Sequence, residues 1–327
     1  MPIHSTGYRP WNETRVAPWR RWLAITTTGV QRAWKSLWLK RLLLAALFPL
    51  VFFSIPIFFF EQSGRDPQSW TMFERAMRGM TRGTPMASIL DGVPSDPTPE
   101  QFQTVRHSVW SFLLLTMLRN TQAFLMVILV GIVAPPLISQ DLRTRAYLIY
   151  FSRPIDRWEY ILGKFGVVAF FLLLISTGPA LLLYLVGLLL SPSLSVFWMT
   201  WDLPLRILVA SACLIIPTTL GALAISSMTL ESRYAAFSWF AIWLMGHVAY
   251  SSLTAIPTFQ AQSRREVYQP GWELLTSPYQ ILGAVQSYVF GFQQSNQWVW
   301  PAILMLLAIT VGSLILLFRR VAAPMRA

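Results

Sequence analysis

Charge is scarce in this 327-residue chain: Asp, Glu, Lys and Arg together make up 12% of it, about half of what a soluble globular domain carries. Cysteine is scarcer still. Cys213 stands alone, which excludes an intramolecular disulfide and any multi-cysteine metal site, and its apolar surroundings read as those of a small packing residue. Histidine occurs three times, at His4, His107 and His247. There is no HExxH, no GxSxG and no pair of aspartates inside an apolar block, so metal-assisted or Ser-His catalysis has no residues to rest on. Nor is there a GxxxxGK[ST] loop to cradle phosphates: Gly163-Lys164 is followed by Phe165 and opens an apolar stretch. The chain is therefore expected not to be an enzyme, and any ATP hydrolysis belongs to another subunit.

Apolar residues are what the chain has instead. They make up 54% of it, with a mean hydropathy of +0.49, and they fall in blocks long enough to cross a bilayer, which takes about 20 helical residues. The sequence predicts an all-α polytopic membrane protein with six spans, at approximately Leu42–Phe60, Thr121–Ile138, Phe165–Leu190, Leu205–Met228, Ala235–Thr254 and Trp298–Phe318. This divides the chain into a cytoplasmic segment 1–41, a transmembrane domain 42–318 and a short cytoplasmic tail 319–327. Pro49, Pro56, Pro135, Pro179 and Pro217 lie within or beside these blocks, where neighbouring helices can satisfy the freed carbonyls. Because 41 mostly polar residues precede the first block, no cleavable signal peptide is expected.

The net charge of +12 flanks the apolar blocks rather than forming a basic domain. It indicates topology and anionic lipid, not nucleic acid. Eight Lys/Arg precede residue 42, five fall in 139–164, Arg233 lies in the fourth connection, and Arg319, Arg320 and Arg326 lie in the tail. The third connection, SPSLSVFWMTWDLP, has none. Both termini are accordingly expected on the cytoplasmic side of a cytoplasmic (inner) membrane.

Shorter periodic segments lie between the blocks. Trp70, Phe73, Met77 and Met80 share a face beside Glu74, Arg75 and Arg78, predicting an amphipathic helix at the membrane surface. The Pro-rich GVPSDPTPE then breaks the segment, and Val109–Leu118 reads as a lead-in helix to span two. It stops at Arg119 and Asn120 unless it extends that span as one long helix. Residues 29–41 place Val30, Trp34, Leu37 and Trp38 on one face, as expected of an interfacial helix leading into span one. SPYQILGAVQSYVFG (277–291) is too short to cross and reads as re-entrant or interfacial.

The connection QDLRTRAYLIYFSRPIDRWEYILGKF (140–165) carries more structure than a topology signal needs. Leu142, Ala146, Ile149 and Tyr150 are spaced for a helix from Leu142 to about Tyr150, with Arg143 and Arg145 off the apolar stripe. Arg153-Pro154 ends that helix, since the residue before proline is pushed from helical geometry. Asp156 and Glu159 then form a capping box for a second helix, and Lys164 is placed to snorkel as an anchor. Stripe, break and cap together suit an element that docks on a partner or on lipid.

This stretch resembles the first cytoplasmic loop of the permease subunits of type-2 ATP-binding-cassette exporters. An amphipathic helix before span one, six spans, an inner loop like SSMTLESRYAAFSWF and a helix like LTSPYQILGAV between spans five and six are similar too. The resemblance implies one half of a homodimeric or heterodimeric permease, whose inner loop is a coupling helix seated in a separate ATPase subunit. ATP and magnesium would then be held by that partner, with no cofactor in this chain. Arg143, Arg145, Tyr147 and Tyr150 would touch the ATPase, Arg153 and Pro154 would fix the turn, and Arg233 would add a minor contact. Thr121, Gln122, Ser238 and His247 would lie along the substrate path.

Two rivals compete with that reading. An ion-coupled secondary transporter would need ionisable groups at mid-membrane, where only His247 stands, more simply explained by an interhelical hydrogen bond or a polar cavity. A non-export role in motility or metalloenzyme-maturation machinery would keep the family and change the task. His107 reads as a solvated or interfacial residue, and Arg206 as snorkelling.

Overall fold

The computed structural model describes residues 20–64, 67–81, 85–94, 98–146, 155–193, 195–263, 268, 270–292 and 297–322. Among these it is all-helical, with six helical stretches long and apolar enough to span a membrane. The chain is a multi-pass membrane protein.

Helix α1 (Arg21–Trp34) stops at Lys35, and Ser36, in an extended conformation, caps α2 (Leu37–Ala45) by accepting the Leu39 N–H at 3.5 Å. The single interfacial helix expected over 29–41 is therefore two helices: Ser36, about two turns into the segment, offers the backbone a cap instead of continuation. Span one is α2 followed, after a bend at Ala46–Leu47, by α3 (Phe48–Ser63).

Helices α4 (Pro67–Thr81) and α5 (Pro85–Asp91) follow. The apolar stripe of α4 is not laid on lipid, contrary to expectation. Trp70, Phe73 and Met77 are buried against Phe60 of α3 and Phe102 of the next helix, and the Phe60 and Phe102 rings stack at 4.7 Å. An amphipathic stripe satisfies itself on protein as well as on lipid, and only the fold decides which.

Span two is continuous. Thr98 and Gln101 form a capping box for α6 (Pro99–Thr116), a π-helical segment covers Met117–Gln122, and α7 (Ala123–Val133) and α8 (Pro135–Arg143) complete the stretch, of which Glu100–Arg143 is a candidate span of 44 residues. At 1.5 Å per residue it measures about 65 Å, twice the ~30 Å hydrocarbon core, so a large part stands outside. Val109–Leu118 is thus part of the span and not a separate lead-in. Arg119 and Asn120 do not interrupt it, because Gln280 accepts from Arg119 at 2.9 Å and Tyr279 donates to Asn120 at 2.8 Å.

Span three comprises α9 (Arg157–Leu172), a second π segment at Leu173–Thr177, and α10 (Gly178–Leu190). After the short α11 (Val196–Met199), span four is α12 (Asp202–Met228) and span five α13 (Ser232–Ser263). A 3-10 turn at Trp272–Thr276 leads into α14 (Pro278–Val289), which is too short to cross and is buried among spans four to six, and α15 (Val299–Ala322) is span six.

The core has two main parts. One joins span two's α7 and α8 with α9 and the second half of α12; the other joins α3 to α6 with α10 and the first half of α12. Span four passes through both, and its apolar window is 67% buried, against 22% in span one, 17% in span five and 11% in span six. Spans one, five and six therefore supply most of the surface left for lipid or partners.

Candidate functional site

The described ends of the connection between spans two and three, Thr144–Ala146 and Ile155–Asp156, lie with the connection 229–231 at one end of the bundle, the basic end. The local sequence explains how α8 reaches it and stops. Pro135 and Pro136 interrupt the helix ladder after α7, and Ser226 of span four fills the gap. Its hydroxyl donates to the Pro135 carbonyl at 2.6 Å and accepts the Ser139 and Ile138 N–H groups at 3.1 and 3.3 Å. Helix α8 then closes on Thr144. The Ala146 N–H reaches the Asp141 carbonyl at 3.0 Å and the Arg145 N–H reaches Leu142 at 3.4 Å, with Arg145 left-handed at φ 56°. That is a Schellman stop with arginine where glycine is usual. Helix α8 therefore ends at Arg143, its backbone reversed at Arg145; residues 147–150 of the helix predicted over Leu142–Tyr150 lie outside the described residues.

On the far side of the connection the predicted capping box is present. Glu159 accepts the Asp156 N–H at 3.0 Å, and the Asp156 side chain faces the Glu159 N–H. Seven residues into α9 the expectation fails: Lys164 does not snorkel. It is buried, with its ammonium 2.7 Å from Asp141 and over the Tyr160 ring, while the Tyr160 hydroxyl donates to the same Asp141 carboxylate at 2.9 Å. A snorkelling lysine needs a path to water; here α1 covers the site. Gly163 and Gly29 allow that approach, since a Cβ on Gly163 would stand 2.6 Å from the Ile25 Cβ. Thr26 donates to the Gly163 carbonyl at 3.0 Å.

Arg143 forms an exposed pair with Glu231, both contacts at 3.2 Å, and so ties the two connections together. Arg145 is exposed, as is Arg233 in the first turn of α13. Tyr147, Tyr150, Arg153 and Pro154 lie outside the described residues. Between α1, α2, α8 and α9 is a cavity of about 400 Å³. Arg32 stands at it, donating to Gln140 at 3.2 Å.

Of the path residues, Ser238 and His247 have described side chains. Thr121 and Gln122 fall in the π segment, their side chains outside the described residues. Ser238 is half-buried, and His247 is exposed beside Leu244, Met245 and Val248, which are exposed too. The interhelical bond expected of His247 is not made among the described residues.

At the opposite end the structure assembles ion pairs the sequence did not suggest. Arg106 grips Glu61 through two bonds of 2.9 and 3.0 Å, both side chains buried. Asp202 accepts from His107 at 3.0 Å and from Arg206 at 2.7 Å, and Arg206 also donates to the Val289 carbonyl at 3.1 Å. Neither His107 nor Arg206 is merely solvated or snorkelling. A signal was available: the whole chain has 14 acids, and one at the edge of an apolar block is costly unless a cation meets it.

No family model matches the chain, and no curated protein matches it.

Proposed function

We propose that the chain is the transmembrane permease subunit of an ATP-binding-cassette transporter, resembling the type-2 exporters, driven by a separate ATPase subunit. The observation that carries the reading is the rooting of the 144–156 connection. Asp141, on its entry helix, is bonded to Lys164 and Tyr160 on its exit helix, and Arg143 binds Glu231 of the neighbouring connection. A force applied at either described end of that connection passes to spans two, three and five through these bonds. A loop that only set topology would need none of these bonds.

On this reading the basic end faces the cytoplasm of a cell with an inner membrane. Two permease halves pair through the little-buried spans, Arg143, Arg145, Tyr147 and Tyr150 meet the ATPase, Arg153 and Pro154 fix the turn, and Arg233 adds a minor contact. The absence of a phosphate-cradling loop from the sequence agrees with hydrolysis elsewhere. The test is copurification from the native host. An ATPase should accompany the wild type and be lost from a Tyr147→Ala/Arg153→Ala/Pro154→Ala variant that still inserts and melts normally. Transport by the purified single chain under an ion gradient alone would overturn the reading in favour of a secondary transporter.

A further inference from the structure

The cavity between α1, α2, α8 and α9 is divided by chemistry. One part of its lining is apolar, with Leu39 and Ile132; the other carries Arg32, Gln140, Asp141 and Lys164. Ile132 is 40% exposed, so the apolar wall runs out onto the surface that meets lipid. Beside the mouth, Leu37, Trp38 and Leu44 of α2 are also exposed, and so are Lys35, Lys40 and Arg41. Apolar side chains interleaved with tryptophan and cations are the composition of a head-group-level surface.

The charge in the cavity is unbalanced. Asp141 is already bonded to Lys164 and Tyr160. Among the described residues, Arg32 pairs with no carboxylate and donates only to the neutral Gln140 amide. Two cations thus face one carboxylate across a space large enough for a polar group. A guanidinium whose donors are not all used by protein is well suited to phosphate oxygens.

We propose that this cavity holds the phosphate head group of an acidic phospholipid, with Arg32 as its principal contact, Gln140 as a secondary donor and the acyl chains running past Ile132 and the exposed face of α2. Zwitterionic lipid, whose choline brings a further cation to a site already in positive excess, is discriminated against. The site does not depend on an ATPase partner.

Native mass spectrometry of the purified full-length protein, exchanged with equimolar phosphatidylglycerol and phosphatidylcholine, tests this. The wild type should retain phosphatidylglycerol about fivefold better, the factor expected from one basic residue at an anionic head group. High salt should erase much of that preference. Arg32→Gln should remove it, Arg32→Lys should keep most of it, and Arg319→Gln, exposed on span six and away from the cavity and α2, should leave it intact. Arg32 is exposed, and an unchanged melting temperature would show that its variants fold; the salt dependence of the wild type stands regardless. Equal retention of the two lipids, or retention unchanged in Arg32→Gln, would overturn the proposal. So would stabilisation by inorganic phosphate alone with no lipid retained.

Discussion

Lys164 and Asp141 set the energetics of the basic end residue by residue. Taking a lysine and an aspartate out of water is expensive, and the attraction between them only offsets that cost when geometry is good and remaining lone pairs are filled. Here Tyr160 fills one. Replacing one partner leaves the other charge buried alone, so Asp141→Asn or Lys164→Met should each destabilise the protein by about 3–5 kcal/mol. The double variant Asp141→Leu/Lys164→Met should recover most of that loss, as read by thermal melting in detergent. If each single variant melted like the wild type, the pair would not be buried as described. This contact was illegible beforehand because each side chain was read against its own flanks. Lys164 beside Gly163 and Phe165 resembles any interfacial lysine, and only the packing of α1 over it buries the side chain. The same is true of Glu61 and Arg106, which lie far apart in the chain and become partners only once α3 and α6 align.

Elements were more legible where local chemistry fixes them. The six spans followed from apolar length, and the start of α9 from Asp156 and Glu159, because a capping box is written in four consecutive residues. Both ends of α8 were missed, for opposite reasons. Its start depends on Ser226, a side chain from span four. Its end has a Schellman pattern without the glycine that would announce it. An arginine held left-handed costs about 1–2 kcal/mol relative to a relaxed residue. Arg145→Gly should therefore raise the stability of the protein by about 1 kcal/mol, while weakening any ATPase contact that uses the arginine charge. A drop in melting temperature for that variant would contradict the left-handed conformation.

At the scale of the whole molecule, two cores sit end to end with span four passing through both. The π segments of spans two and three touch one another where these cores meet. Composition announced the class of the molecule, but not this division, because a π segment carries no residue signature and depends on neighbouring helices. Its consequence concerns phase. A π segment absorbs one residue more than an α-helix holds in the same turn, so the faces above and below it remain aligned despite the insertion. Deleting one residue from the straight part of α6 between Arg106 and the π segment would turn the two sides of the cut about 100° out of phase and part Arg106 from Glu61. Deleting Asn120 instead should let the segment relax to an ordinary turn with both faces still in register, at the cost only of its bond to Tyr279. A scan of single-residue deletions, scored by folded yield, should show peaks of tolerance at 117–122 and 173–177 and deep troughs on either side.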